Sequence, residues 1–358
     1  VTDFDEEEIA RKHTLSASLA YAEWNKQKIN IIDTPGIGNF LADALAALHV
    51  VDAAVVVVDA VSGVMVQTEK VWEAAAELGL PRLVVVNRLD RERASLERTL
   101  QSLRDSCDRT VIPVQLPIGE EKAFSGVVDL VTRKAYTYKG GERGEFAEGP
   151  VSAGMAEAVE HARESLIEMV AESDELLMEH FFEHGTLTDD ELVGGLKAAT
   201  LGGKLFPVVC TSGLSNIGIA QLLDAVLATL PSPAERAFHF PDAGGAIQTR
   251  EADEKAPLSA FVWKTIADPF AGRITMLRVV SGVLKSDSSV HNRTRDVAER
   301  IGSLQLLQGK TPAAVPEIKA GDLGTVAKLK DTLTNDTLGD KADALVFPPI
   351  RFAEPVLS

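Results

Sequence analysis

The segment from Ile29 to Gly36 constrains the fold of this chain more than any other. Its mostly apolar first half, Ile29–Ile32, runs directly into Asp33-Thr34-Pro35-Gly36. An apolar run that ends in an acid, a proline and a glycine predicts a buried strand that enters a tight loop. In open α/β folds, ligands bind in such loops at the carboxyl ends of parallel strands.

The residue types of this loop suit a phosphorylated ligand. The carboxylate of Asp33 can hold Mg²⁺ through water, and Gly36 allows a backbone N–H to approach a phosphate. On its own, the same pattern also fits a strand that simply ends in a turn. Two later parts of the chain favour the ligand-binding interpretation.

Two more apolar runs end in polar residues. Val84–Val86 is followed by Asn87-Arg88-Leu89-Asp90, and Val208–Cys210 is followed by Thr211-Ser212-Gly213. Alone, the first also fits a polar loop after a strand, and the second indicates little. Together, the order Asp-Thr-Pro-Gly, then Asn-Arg-Leu-Asp, then a Ser-Gly turn resembles that of a GTPase fold.

The two later turns carry side chains that suit recognition of guanine. The Asp90 carboxylate can accept hydrogen bonds from both N1–H and the 2-amino group of guanine, and adenine presents neither in that geometry. We expect Asn87 to tie the neighbouring loops together and Arg88 to lie along the base. A backbone N–H at Ser212 or Gly213 can donate to the guanine O6.

Thr14 is a candidate ligand of Mg²⁺ and of the terminal phosphate. It lies in the polar segment Arg11–Leu15, which we expect to be a mobile loop. A hydroxyl group can replace one water of a hydrated Mg²⁺ ion. The alternative is an exposed threonine at the start of a strand.

Composition excludes several classes of protein. With 358 residues, of which 45% are hydrophobic, the chain can form two or three packed domains. A net charge of −17 argues against a general nucleic-acid binder, so we expect no DNA partner and only local basic patches toward RNA. No apolar run reaches the length of a membrane span. Two cysteines fit a reducing compartment, and we expect a cytoplasmic protein without a membrane partner.

Strand and helix signals alternate in the first part of the chain, which predicts an α/β, doubly wound fold. A lobe of mixed strands and helices interrupts this alternation, and closely spaced strands after it predict a small all-β barrel. The predicted division is 1–108 for the first part of the α/β domain, 109–200 for the inserted subdomain, 201–237 for the last part of the α/β domain, 238–256 for a linker, 257–350 for the barrel and 351–358 for the start of a third domain.

Several elements are predicted individually. The runs Ile29–Ile32, Ala53–Asp59 and Leu83–Val86 lack polar alternation, which is typical of strands buried on both faces of a parallel sheet. Helical periodicity predicts a helix over Val66–Leu78. The remaining predictions are a strand over Val111–Leu116 and a long amphipathic helical stretch over Ala153–His184.

By these residues the chain resembles the translational GTPases, and most closely elongation factor G. The resemblance covers essentially all of the sequence, including a long insert between the two base-binding turns that elongation factor Tu lacks. The motifs that carry it are Asp3-Phe4 with Glu8…Arg11…Thr14, Asp33–Gly36, Gly63-Val64…Gln67-Thr68-Glu69, Asn87–Asp90, Cys210–Gly213, Leu230–Pro233, Val280–Leu284, Ala320-Gly321-Asp322 and Phe352–Val356.

The resemblance implies a P-loop GTPase-type doubly wound sheet, incomplete in this sequence, with an inserted α+β subdomain and an all-β second domain. It implies GTP or GDP with Mg²⁺ as ligands, Thr14 and Asp33 toward the metal, and the ribosome, its RNA and its proteins, as partner. Gly36 would contact the terminal phosphate. The residue after Asp-Thr-Pro-Gly positions the attacking water in this family, where it is a histidine; here it is Ile37.

The sequence departs from the family in three places. No G-x-x-x-x-G-K-[ST] phosphate loop occurs in these residues, so we expect the chain to be part of a longer protein and to bind Mg²⁺·GTP weakly when isolated. Ile37 replaces the family histidine, and Lys12-His13 replaces the usual Gly-Ile before Thr14. The last two changes favour the elongation factor G-like paralogue branch.

Two functions follow as expectations. The first is ribosome-associated hydrolysis of GTP through positioning and electrostatics. The second is a GTP-gated ribosome-binding module that hardly hydrolyses its nucleotide, which Ile37 favours because its side chain cannot hold water. Tetracycline-resistance ribosomal protection proteins and peptide release factor three have similar layouts and remain alternatives.

Overall fold

The computed structural model describes residues 1–139, 144–241, 245–268, 272–343 and 345–352. Its helices are α1 (Glu6–Arg11), α2 (Leu41–Leu48), α3 (Val66–Glu77), α4 (Leu96–Ser106), α5 (Ala156–Glu172), α6 (Glu175–His184), α7 (Asp189–Leu201) and α8 (Ile219–Thr229).

The strands before residue 250 are β1 (Ser18–Trp24), β2 (Gln27–Asp33), β3 (Ala54–Asp59), β4 (Arg82–Asn87), β5 (Val111–Pro113), β6 (Gln115–Ile118), β7 (Gly126–Asp129), β8 (Lys134–Tyr138), β9 (Phe146–Pro150), β10 (Phe206–Cys210), β11 (Phe238–Pro241) and β12 (Ile247–Arg250). The later strands are β13 (Ser259–Asp268), β14 (Gly272–Ser281), β15 (Val283–Lys285), β16 (Ser289–Asn292), β17 (Val297–Arg300), β18 (Leu304–Gln308), β19 (Thr311–Val315), β20 (Glu317–Lys319), β21 (Leu323–Ala327) and β22 (Thr337–Gly339).

The chain divides into two compact units. The first unit comprises Val1–Val51 and Ser232–Ser358, and the second unit is Asp52–Pro231. The predicted domain boundaries stay a prediction, and residues 353–358 of the predicted third-domain start lie outside the described residues. No helix in the described part of the chain has the length and apolar character needed to cross a membrane.

A parallel sheet forms the centre of the second unit. Its strands lie in the order β3-β4-β10-β5. Alternate residues of β4 enter two different cores: Val84 and Val86 pack with α3 and α4, and Leu83 and Val85 pack with the helices of the insert and with α8. Because both faces are covered, an uninterrupted apolar run is what such a strand requires. The predicted α/β fold class, the strand over Leu83–Val86 and the helix over Val66–Leu78 are confirmed.

The prediction of burial on both faces is wrong for β3. Val56 and Val58 are buried, whereas Val55 is 43% exposed and Val57 is 59% exposed. Among the described residues, β3 is the edge of its sheet and pairs only with β4. The apolar run therefore predicted the strand correctly but not which of its faces is covered.

The strand over Ile29–Ile32 does not belong to the parallel sheet, contrary to prediction. It lies in β2, which pairs antiparallel with β1 in the first unit, from Ser18 opposite Asp33 to Trp24 opposite Gln27. The connecting residues Asn25 and Lys26 have φ values of 46° and 63°. A two-residue turn with positive φ at both positions favours a tight hairpin, so the local turn determines this pairing.

Two further predictions in the insert need correction. The single strand over Val111–Leu116 is two strands, because β5 pairs in parallel with β10 and β6 pairs antiparallel with β7. The helical stretch over Ala153–His184 breaks between α5 and α6. Asp174 accepts hydrogen bonds from the backbone N–H groups of Leu176 and Leu177, so a helix cap starts α6 at this point.

An antiparallel sheet fills the later part of the first unit. Its strand order is β17-β16-β22-β13-β14-β21-β18-β19, which confirms the predicted all-β domain. Leu258, Val262, Leu277 and Leu304 belong to its buried core. The residues predicted as a linker, 238–256, contain β11 and β12, which pair antiparallel.

We expect the Arg82 side chain to be a large contributor to the stability of the second unit. Arg82 is 6% exposed, and its guanidinium lies 4.5 Å from the ring centroid of Trp72 and 4.2 Å from that of Phe206. Arg82→Ala should lower the free energy of unfolding by about 2–4 kcal/mol through lost packing and lost cation–π contacts. Arg82→Met should lower it less, because the stem remains.

Urea denaturation followed by tryptophan fluorescence measures this effect. Arg91→Ala, at an exposed arginine, is the matched control and should leave the midpoint unchanged. An Arg82→Ala midpoint equal to that of the wild type would show that the contacts of Arg82 with Trp72 and Phe206 contribute nothing to stability.

Candidate guanine-nucleotide site

Parallel pairing places two of the predicted turns side by side in the second unit. Val86 of β4 is the register partner of Cys210 of β10, and Asn87 is opposite Asp59 of β3. The carboxyl ends of the three strands therefore meet at one edge of the sheet, where loops of an α/β fold bind ligands.

The Asn87 side chain joins these loops. Its Oδ1 accepts hydrogen bonds from the backbone N–H of Gly213 at 2.9 Å, from that of Arg88 at 2.8 Å and from the hydroxyl of Thr211 at 3.3 Å. The backbone N–H of Leu89 donates to the Thr211 carbonyl at 3.3 Å. The amide oxygen thus fixes the position of the turn after β10 relative to the turn after β4.

Asp90 has a partner that the sequence analysis missed. The Ser215 hydroxyl donates to Asp90 Oδ2 at 2.8 Å. Ser215 is held in turn by its backbone N–H, which donates to the Ser212 hydroxyl at 3.2 Å. A serine that follows Ser212 at this spacing is typical of a side-chain-capped turn, and that spacing is the one signal in the sequence that could have identified Ser215.

The predicted donors to the guanine O6 already donate within the chain. The N–H of Ser212 donates to the Ile217 carbonyl at 3.0 Å, and the N–H of Gly213 donates to Asn87. The oxygen O6 of a bound guanine would share one of these N–H groups or accept from the next one, that of Leu214. The Leu214 side chain itself is 94% exposed at the tip of this turn.

Arg88 is held by a second residue that the sequence analysis did not single out. Its φ of 66° turns the chain sharply after β4, and its guanidinium lies 2.7 Å from Asp59 Oδ2. Partial burial disfavours ionisation of Asp59, but the hydrogen bonds from Arg88 and from the N–H groups of Val61 and Ser62 outweigh it, so the pKa of Asp59 is lowered. Asp59 ends an apolar run, as Asp33 and Asn87 do, and this shared pattern could have identified it.

The residues Asp33–Ile37 belong to the first unit. Asp33 ends β2 opposite Ser18, and Pro35 is buried. Apart from its two chain neighbours, no described residue has an atom within 4 Å of the position that a Cβ on Gly36 would take, so the backbone at this glycine is open to close approach. The Ile37 side chain is 39% exposed, and its carbonyl accepts from the N–H of Phe40 at 2.9 Å.

Thr14 also lies in the first unit, beside a firmly held stretch of backbone. Its hydroxyl donates to Asp3 Oδ1 at 2.7 Å. Immediately after it, the N–H groups of Leu15 and Ser16 donate to the buried carboxylate of Glu8 at 2.9 and 3.3 Å. The mobility expected for Arg11–Leu15 stays a prediction, and the structure shows that a buried acceptor holds the backbone of Leu15 and Ser16.

The oxygen atoms of Thr14 and Asp33 suit a nucleotide-bound Mg²⁺ ion. Among the described residues, no group of three or more His, Cys, Asp or Glu side chains could hold a metal ion. Mg²⁺ that binds with a nucleotide takes phosphate oxygens and waters and needs only one or two protein oxygens. The Thr14 hydroxyl and the Asp33 carboxylate are oxygens of this kind, and their role as ligands stays a prediction.

Two family models match this chain, one over its first two thirds and one over most of the remainder. The family model described as elongation factor Tu GTP binding domain matches residues 1–232, and the model described as elongation factor G domain 2 matches residues 257–341. A crystal structure of a protein from Thermus thermophilus is similar with a TM-score of 0.85 and 31% sequence identity, over 99% of this chain and 51% of that one. The chain therefore spans about half the length of that protein.

We expect Asn87→Ala to loosen the turn after β10. The N–H groups of Gly213 and Arg88 would lose their acceptor, which should cost about 2 kcal/mol of stability. Hydrogen exchange in peptides spanning residues 211–217 should become faster. Asn87→Asp keeps an acceptor oxygen and is the matched control; equal protection in wild type and Asn87→Ala would contradict this account of the loops.

Proposed function

The chain belongs to the elongation factor G family of translational GTPases, and we propose that it recognises the guanine base of GTP and GDP through Asp90. The observation that carries this proposal is the position of the Asp90 carboxylate at the carboxyl edge of a parallel sheet, beside a turn fixed by Asn87. A carboxylate in this place offers two acceptor oxygens to the two donors on one edge of guanine.

Discrimination against adenine follows from hydrogen-bonding capacity. Guanine presents N1–H and a 2-amino group, and both donors can pair with Asp90. Adenine has an acceptor at N1 and only hydrogen at position 2, so it would give the Asp90 carboxylate no hydrogen bond from the base and would leave Ser215 as its protein partner. Unpaired polar groups in a binding site cost more than a missing contact, which makes this kind of selection strong.

We propose that Thr14, Asp33 and Gly36 act on the Mg²⁺ ion and the phosphates of the nucleotide. Thr14 and Asp33 would ligand Mg²⁺, and the open backbone at Gly36 would approach the terminal phosphate. Hydrolysis in such a site depends on holding an attacking water in line, since the protein forms no covalent bond to the phosphate. We further propose that the natural protein acts in translation in the cytoplasm, with the ribosome as its partner and with the domain division predicted from the sequence.

A second candidate function is a GTP-gated binding module with very slow hydrolysis. The specific observation in its favour is the partly exposed, branched aliphatic side chain of Ile37, directly after Asp-Thr-Pro-Gly. This side chain can neither donate nor accept a hydrogen bond, so it cannot orient water. An isoleucine at this position should not weaken nucleotide binding, because the backbone at Gly36 and Ile37 remains available to the phosphate.

We expect the intact natural protein to bind GDP far more tightly than ADP, and Asp90→Asn to reverse part of this preference. The variant should lose about 2–4 kcal/mol of GDP binding. It should gain affinity for xanthosine diphosphate, because an amide N–H₂ can donate to the carbonyl at position 2 of xanthine. Isothermal titration calorimetry measures the affinities of the wild type and the variant for GDP, ADP and xanthosine diphosphate, with Asp105→Asn as the control at an exposed aspartate. Equal affinity of the wild type for ADP and GDP would overturn the proposal.

We expect Ile37→His to raise ribosome-stimulated turnover of GTP in the natural protein. Loss of a water-positioning group typically forfeits about 10²–10⁴ in rate, so restoring one should recover part of that factor. GDP affinity should change little. Release of inorganic phosphate measures the rate, and Ile247→His, at a 68% exposed isoleucine, is the control. Fast turnover by the wild type itself would show that another group holds the water, and His13 would be the first to replace.

A further inference from the structure

We propose that Ser215 is a positioning residue for guanine specificity: its hydroxyl holds the Asp90 carboxylate in the orientation that pairs with both donors of the base. This inference rests on the proposed function of Asp90. Ser215 is separated from Asp90 by 125 positions in the sequence, and its Oγ donates to Asp90 Oδ2 at 2.8 Å.

Ser215 is itself anchored to a buried point of the fold. Its backbone N–H donates to the hydroxyl of Ser212, whose exposed fraction is 0%. Ser212 and Ile217 exchange two backbone hydrogen bonds of 3.0 Å, which close the loop between them. The contact on Asp90 therefore comes from a hydroxyl whose own backbone has little freedom to move.

Two of the hydrogen bonds between this loop and the turn after β4 act at different points. The first runs from the Gly213 N–H to Asn87 Oδ1, and the second runs from Ser215 to Asp90. The first link acts on the position of the loop, and the second acts directly on the carboxylate that is proposed to recognise the base. Removal of the Ser215 hydroxyl leaves the first link in place, so the two roles can be tested separately.

Preorganisation explains why this contact would matter for specificity. A partly exposed aspartate samples several orientations, and only some of them present both oxygens to N1–H and the 2-amino group in one plane. A side chain that is already held needs less ordering when the ligand binds. Each carboxylate oxygen has two acceptor positions, so Oδ2 can accept from Ser215 and from guanine together.

The test is Ser215→Ala in the intact natural protein, titrated with GDP and with inosine diphosphate. Inosine has N1–H but lacks the 2-amino group, so its pairing with Asp90 depends less on the orientation of both oxygens. We expect GDP affinity to fall about tenfold, the size of one hydrogen bond to a charged group. The preference for GDP over inosine diphosphate should fall as well.

The controls separate positioning from a general loss of structure. Ser215→Thr keeps the hydroxyl and should retain the wild-type preference. Ser288→Ala removes a hydroxyl that donates to the Lys285 carbonyl in the all-β domain and should change nothing. In an Asp90→Ala background, Ser215→Ala should have no further effect on GDP affinity.

The outcomes are distinguishable from failure of the proposed function. Wild-type protein that does not prefer GDP over ADP would refute the role of Asp90 itself. If the wild type prefers GDP over ADP but Ser215→Ala binds GDP as tightly as the wild type, the inference about Ser215 is overturned. Equal weakening of GDP and inosine diphosphate would also overturn it, because that result indicates a purely structural role.

Discussion

Parallel pairing between β4 and β10 is the constraint on which the candidate site depends. The pairing sets Val86 beside Cys210, so the turns that follow the two strands leave the sheet next to each other. Alternate residues of β4 pack into two cores, which prevents a shift of register, since a slip by one residue would exchange the two faces. The position of Asn87 relative to Gly213 is therefore a consequence of core packing, and the hydrogen bond between them adds local order.

In the first unit, charged side chains fix the position of α2, the helix that follows Asp33–Ile37. Asp43 near the start of α2 accepts from Lys264 of β13 at 2.5 Å and from the N–H of Ala17 at 2.8 Å. Beyond the other end of α2, Arg278 of β14 donates to the Val50 carbonyl at 2.9 Å. Two cationic side chains of the all-β sheet thus contact α2 near its start and the chain just after its end.

The sequence predicted those parts that local patterns determine. The β4 strand, the α3 helix and the polar turns after β4 and β10 each have a continuous signal within a few residues. The wrong predictions concern choices made elsewhere in the fold. The partner of β2 depends on a two-residue turn, the exposed face of β3 depends on its edge position, and the break between α5 and α6 depends on the cap at Asp174. Ser215 was missed because its partner lies 125 residues away in the sequence.

Guanine recognition by Asp90 is the central claim, and a crystal structure of the intact natural protein with bound GDP tests it most directly. The account predicts that Asp90 Oδ1 and Oδ2 lie about 2.7–3.0 Å from N1 and from the 2-amino nitrogen of the base, with the Ser215 hydroxyl still on Oδ2. A base bound elsewhere, or an Asp90 carboxylate turned away from it, would contradict the account.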